Sequence, residues 1–279
     1  MSFLNELEVG TIRATSVVAG AVTGRFTSSR YEFVDGDRGL TAAGGNTAGG
    51  DTTETITRNT PGTTTDLVFA GYNTTNDTDN QNPVSIIQTN RTTVTAIMTT
   101  DPATAHNFDW MVLRNGGMPR YQVFAAGNFT TAGGDASESI PATGVLASDL
   151  VLVQVKTKGA TPVTVAAAIS AANAITVTLS ADPTTDHVLK YVVLRAPGGF
   201  TPSHYVLAAG NYTTVGGAVT EAIPVTGAGA SAIAFACYNT TNDTDLMVTV
   251  AAAANAVNLE MSANPVTAHK VSYFVLRAA

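Results

Sequence analysis

The residues with the clearest capacity for chemistry are three histidines that recur at one position. They close the segments Thr100-Asp101-Pro102-Ala103-Thr104-Ala105-His106, Ala181-Asp182-Pro183-Thr184-Thr185-Asp186-His187 and Ala263-Asn264-Pro265-Val266-Thr267-Ala268-His269. Three imidazoles can hold a zinc ion if their nitrogens converge to about 2.0–2.1 Å from it. Equivalent residues on tandem copies do not ordinarily converge in this way. His106, His187 and His269 are therefore expected to be turn residues, hydrogen-bonded in the loop before the next strand. The second candidate is oxygen-based. Asn76-Asp77-Thr78-Asp79 and Asn242-Asp243-Thr244-Asp245 put Asp77, Asp79, Asp243 and Asp245 at spacings that suit calcium, without the glycine and closing glutamate of an EF-hand loop. A solvated hairpin loop is the expectation there. Cys237 is the single cysteine, so it forms neither an intrachain disulfide nor a cysteine-based metal site, and it reads as a small buried hydrophobe.

Catalytic patterns are missing. There is no Gly-X-Ser-X-Gly elbow, no Gly-Lys-Ser/Thr after the glycine pairs, and no carboxylate pair placed to share acid and base work. The chain is not expected to be an enzyme or to need a cofactor. Trp110 sits where the other copies carry Tyr191 and Tyr273, so all three read as repeat core rather than as a platform for sugars.

The histidines belong to a threefold repeat. They are spaced 81 and 82 residues apart, an aromatic follows each after four residues, and each copy closes on Val-Leu-Arg (112–114, 193–195, 275–277). Ala125-Ala126-Gly127-Asn128-Phe129-Thr130-Thr131 matches Ala208-Ala209-Gly210-Asn211-Tyr212-Thr213-Thr214, and an Ile-Pro step follows both. The octapeptide Tyr72–Asp79 is identical to Tyr238–Asp245. Gly- and Pro-bearing joints, Asn115-Gly116-Gly117 and Ala196-Pro197-Gly198-Gly199, punctuate the copies. The expected organisation is an assembly arm over 1–30 and repeats over 31–117, 118–199 and 200–279.

Short runs rich in Val, Thr and Ile, with turns every ten residues or so, predict an all-β fold. Each repeat is expected to be a small β-sandwich of immunoglobulin-like size, three in tandem after an extended arm. In the second copy the strands are expected at 120–125, 137–141, 149–156, 162–168, 174–180 and 188–195. On the last strand, Phe108, Trp110, Val112 and Arg114 share one face and point to the core. The other face starts polar and ends apolar, through Asn107, Asp109, Met111 and Leu113. It is expected to be wet at its start and covered by a neighbour at its end.

The chain has 279 residues, a net charge of −7 and only 13% charged residues, about half the usual share. An acidic balance without a basic stripe argues against a nucleic-acid partner. No apolar run is long enough for a membrane span, and the first residues lack the basic and apolar regions of a secretory signal. The opening segment is too apolar for a free tail and too short for a domain. Leu4, Leu7, Val9, Ile12, Val17, Val18 and Val22 are the residues expected to dock it on another chain.

The segment Ala14-Thr15-Ser16-Val17-Val18-Ala19-Gly20-Ala21-Val22-Thr23-Gly24 resembles the amino-terminal segments of tailed-bacteriophage virion proteins. The Thr-, Ala- and Gly-rich repeats ending in Asp-Pro-X-Thr-X-His and Tyr-X-Val-Leu-Arg are similar in style to head decoration and head-fibre proteins. The resemblance implies a virion structural protein, assembled in a host cytoplasm and placed on the outer surface of the particle. Its partners would be the major capsid protein or other virion subunits, with a homo-oligomer, a trimer, on the particle. A capsid decoration (cement) protein is the leading expectation. The alternative is a trimeric tail or head fibre whose β-domains bind host glycans. A bacterial surface adhesin or carbohydrate-binding module ranks third.

Overall fold

A computed structural model describes residues 30–40, 52–58, 62–63, 65–73, 85–88, 91–98, 107–116, 119–159, 163–183, 187–239, 247–264 and 268–279. Among these residues the chain is all-β, with no helix. Among the described residues no helix is long and apolar enough to cross a membrane. The first copy supplies Tyr31–Leu40 (β1), Thr53–Thr57 (β2), Leu67–Tyr72 (β3), Ser85–Gln88 (β4), Thr93–Ile97 (β5) and Asn107–Asn115 (β6). The second supplies Gln122–Thr130 (β7), Ser137–Pro141 (β8), Leu150–Thr157 (β9), Val165–Ala171 (β10), Ala174–Leu179 (β11) and Val188–Arg195 (β12). The third supplies His204–Thr213 (β13), Thr220–Pro224 (β14), Ile233–Tyr238 (β15), Met247–Ala253 (β16), Ala256–Met261 (β17) and Lys270–Ala278 (β18).

Pairing repeats with the sequence. In each copy the first, sixth and third strands form one antiparallel set (β1-β6-β3, β7-β12-β9, β13-β18-β15), and the second, fifth and fourth form another (β2-β5-β4, β8-β11-β10, β14-β17-β16). Single residue pairs join sets from different copies: Tyr238 to Ser85, and His204 to Val123. Apolar side chains fill the space between the two sets of a copy. In the third copy Ile223, Val257 and Leu259 face Ala234, Val271 and Val275. In the second, Ile140, Ile175 and Val177 face Val151, Leu189 and Val193. In the first, Ile86, Val94 and Ala96 face Val68, Phe108, Trp110 and Val112.

The copies do not stand apart as beads. A further core takes Phe33, Phe69, Met111 and Leu113 from the first copy. Val123, Leu152, Val192 and Leu194 come from the second, and Val206, Phe235, Phe274 and Leu276 from the third. The contacts close a ring. Strand β10 lies on β3, β16 on β9, and β4 on β15, so each fourth strand packs on the third strand of another copy. The end of the last strand's second face is thus covered by its neighbours. At its start the face is wet at Lys270 and half-covered at Val188, but the next polar position is not wet. Asp109, Lys190 and Ser272 occupy the same repeat position, and all three are buried. A strand read alone shows which residues are polar, but not that another copy seals them off.

One irregularity recurs and makes this double packing possible. Val34, Phe124 and Leu207 are each skipped in the pairing of the first strand with the last. Such a bulge turns two successive side chains to one side. Phe124 and Ala125 both pack outward on the second copy's own layer, while Val123 before them enters the shared core. In the second and third copies two-residue hairpins close the fourth and fifth strands, with Asn173 and Asn255 at φ 62° and 55°. Asparagine tolerates this left-handed backbone, and its side-chain oxygen accepts the amide of Gly144 or Gly227.

The first strand of the second copy runs further than the sequence suggests, through Gly127 to Thr130. Gly127 does not end it, because the ring of Tyr191 on β12 lies over the missing side chain. A Cβ at Gly127 would meet the Tyr191 hydroxyl at 2.9 Å, whereas one at Gly210 would meet Tyr273 at an ordinary 3.4 Å. Gly127→Ala should therefore cost about 1 kcal/mol. Gly210→Ala should be neutral or gain about 0.5 kcal/mol from the stiffer unfolded chain. Urea unfolding of the two variants checks the order; equal effects would contradict the account of Gly127.

Candidate functional site

The Val-Leu-Arg anchor explains itself in the fold. Its valine (Val112, Val193, Val275) enters the copy's own layer, and its leucine (Leu113, Leu194, Leu276) enters the shared core. The arginine reaches the residue just before the third strand. Arg114 Nε and Nη2 donate to the two carboxylate oxygens of Asp66, both at 2.8 Å. Arg195 does the same to Asp149, at 2.8 and 2.6 Å. Two parallel charge-assisted bonds of this kind hold orientation as well as position. Arg195 also stacks on the bulged Phe124, 3.8 Å from the ring centre. The third copy carries Ala232 at the aspartate's place, and its Arg277 is exposed. The first copy adds Arg58, whose side chain is fully buried, with Nη2 2.9 Å from Asp66 and Nε 3.7 Å from Asp35. Burial alone would raise the Asp66 carboxyl, but hydrogen bonds from Arg114, Thr63 and Arg58 outweigh it and hold it at about 2.

Two of the recurrent histidines, His187 and His269, are sealed just before the last strand of their copies. Thr131 N–H donates to the His187 carbonyl (2.9 Å), and His187 N–H donates back to Thr131 Oγ1 (2.8 Å). Thr214 and His269 repeat the pair at 2.8 and 2.9 Å. Both histidines are buried, and His269 meets the ring of Tyr238 edge-on at 5.7 Å. Each of the two is thus tied to the end of its own copy's first strand. No group of three metal-ligating side chains occurs among the described residues. His106 lies outside them, as do Asp77, Asp79, Asp243 and Asp245 and the arm residues Leu4, Leu7, Val9, Ile12, Val17, Val18 and Val22. Trp110 is buried, while Tyr191 and Tyr273 are half-buried rings packed at the edge of their copies' layers. Cys237 is partly buried on β15, and its thiol approaches the Val68 carbonyl at 3.5 Å.

Two places were invisible in the sequence. The first is one end of the ring axis, where the three first strands meet. Arg120 and Tyr121 donate their amides to the Phe33 carbonyl at 2.8 and 3.1 Å, and Ser203 donates to that of Val123 at 2.9 Å. A cavity of about 110 Å³ opens here. The equivalent residues Tyr31, Tyr121 and His204 line it, together with Arg30 and with Phe33, Val123 and Val206 of the shared core. Burial lowers the His204 imidazole below its ordinary value. Arg30 caps the Tyr205 ring at 5.5 Å. The Gly116 amide donates to Arg30 and that of Ala279 to Ser203, so the first joint and residue 279 reach the same end.

The second place is the set of seams between copies, each with its own chemistry. Between the first and second copies, Asp109 accepts from Asn73 Nδ2 (2.6 Å) and from the Val151 amide (2.8 Å). Between the second and third, Lys190 Nζ donates to the Val250 carbonyl and lies 5.2 Å from the Phe235 ring centre. Gln154 bonds both backbone groups of Ala236 (2.6 and 3.3 Å), and Lys158 pairs with Glu260. Between the third and first, aromatic rings do the work: Phe274 meets Phe33 and Phe69 edge-on at 5.7 and 4.7 Å and stacks on Phe235 at 5.0 Å. Ser272, at the position of Asp109 and Lys190, bonds instead within its own copy, to Asn211 and Asn239.

Compared with known proteins, the chain matches no family model, no curated protein and no solved structure.

Proposed function

We propose that this chain is a non-enzymatic structural protein of a tailed-bacteriophage virion, a capsid decoration protein that grips the head shell through residues 1–30 and stabilises it from outside. In this reading each six-strand set is a small β-sandwich, and three follow the arm in tandem. The observation that carries the reading is the closed ring of like units joined to the arm at its axial end. Arg30, the residue that follows the arm's last serine, lines the axial cavity. Arg30 thus stands where the three copies meet, a position suited to a junction between shell subunits. The ring closes within one chain, so trimer formation on the particle falls to the arm. The major capsid protein is the partner, the outer face of the virion is the location, and assembly takes place in the host cytoplasm.

Deleting residues 1–30 should leave the body folded, with only the small loss of midpoint expected from removing the Arg30 cap on Tyr205, and abolish co-sedimentation with particles. Retained particle binding would contradict the arm's role. Electron microscopy of particles lacking the protein tests the wider reading, and an unaltered head surface would sink it. A heat-resistant trimer held by residues 1–30, with glycan binding by the body, would turn the reading to a fibre.

A further inference from the structure

We propose that Lys190 makes the seam between the second and third copies pH-sensitive, so that gaining a proton on its amine loosens β9 and β12 from β15 and β16. This rests on the packing of the ring and not on the virion reading. Lys190 is 1% exposed, enclosed within the seam. Its amine reaches across to a carbonyl of β16 and an aromatic face of β15, both in the next copy. No carboxylate forms an ion pair with it among the described residues. The equivalent Asp109 is already engaged by Asn73 and Val151 in a different seam.

The charged and titratable groups around the amine do not offset its charge. Strand β9 contributes the like charge of Lys156. Lys158, just beyond β9, is already paired with Glu260 of β17. Strand β15 contributes the Cys237 thiol and the Tyr238 phenol, and β7 and β16 carry no ionisable side chain. On β12 itself Tyr191 faces the other side, in the second copy's own layer, and Arg195 is held by Asp149. Burial, reinforced by Lys156, pushes the Lys190 amine well below its ordinary 10.5. A buried lysine without an opposite charge behaves in this way.

The direction of the effect follows from proton counting. Between the folded value and 10.5 the unfolded chain holds a proton that the folded chain has released, so stability rises with pH there. Below the folded value the amine is charged in both states, and the full penalty applies. Cys237 acts oppositely: burial raises its thiol, so its contribution is present below the ordinary 9.0 and lost as pH rises above it. The difference between wild type and a Lys190 variant cancels that term.

The test uses the full chain. Unfolding midpoints of wild type and Lys190→Met are measured from pH 7 to 10, with amide-exchange protection factors at β16 and β10. The methionine variant should be more stable at pH 7, and the gap should close toward pH 10. Each unit by which the amine is depressed is a tenfold change in the folded-to-unfolded ratio. In wild type, protection at β16 should increase with pH relative to β10, which lies in the other seam. A gap that does not change with pH, a less stable methionine variant, or equal behaviour of β10 and β16 would each overturn the proposal. Lys156→Gln offers an independent arm that keeps the buried amine. Losing the like charge should raise stability at pH 7, and an unchanged pH dependence counts against the mechanism.

Discussion

Phe274→Ala should cost about 3–5 kcal/mol, the range for emptying a fully buried aromatic site, and it should open the seam between the first and third copies. Phe274 is fully buried in the shared core and touches three other rings, two from the first copy and one from its own. The second copy places Val192 at this position and Leu152 opposite it, so no aromatic there can move in to fill the space. Urea unfolding measures the loss, and amide exchange locates it: β3 and β15 should lose protection before β8 and β11 do. Phe274→Leu keeps most of the volume and should cost less than about 1.5 kcal/mol. A loss below about 1 kcal/mol for the alanine variant would mean that the shared core is not holding the ring.

Asp66→Asn should be comparably severe, at about 3–5 kcal/mol, because it strands a buried cation. Arg58 has a fully buried side chain, and without Asp66 its nearest carboxylate is Asp35 at 3.7 Å. The matched change Asp149→Asn should cost less, since Arg195 is 21% exposed and can reach water. Arg277→Ala should fall within about 0.5 kcal/mol, as for an ordinary surface site. The acid limb adds a second readout. Asp66 is held at about 2 against an ordinary 3.8. Its contribution, about 2 kcal/mol, is therefore fully present above the ordinary value and is lost as pH falls toward 2. Wild type should lose stability through that window, and Asp66→Asn should lose less over it. Equal acid slopes would remove Asp66 from the account.

How far the fold was legible depended on whether a residue's partner lay within its own copy. Strands β8 and β12 appear at the boundaries their sequence marks. The two faces of the last strand were also readable: Trp110 and Val112 go one way, and Met111 and Leu113 the other. The arginine of Val-Leu-Arg was visible as a repeat, but its aspartate was not, since Asp66 and Asp149 sit in a turn about 46 to 48 residues upstream and the third copy lacks them. The bulges were hidden because Val123 and Phe124 are both apolar, and a skipped residue leaves no mark in the sequence. The ring itself was hidden because the Gly- and Pro-bearing joints mark where a copy ends but not which faces of different copies meet. Burial of Lys190 follows from the ring, so it could not be foreseen without it. Among the site candidates, His187 and His269 are hydrogen-bonded just before the last strand, and nothing in their Asp-Pro and Asn-Pro steps shows how deeply they are enclosed.

Tandem units that share one pairing pattern carry a particular hazard, because a strand set can mate with the wrong sibling or with its counterpart in another chain. The three unlike seams act against this. A carboxylate, an amine and a hydroxyl stand at one repeat position, in Asp109, Lys190 and Ser272. Exchanging two copies would bury an amine where only an amide donor waits, or leave a carboxylate facing a carbonyl, and unpaired buried charge is heavily penalised. The order of units around the ring is thereby written in its dry interior. Outer loops could diverge freely to meet different neighbours without confusing the folding of the body that carries them.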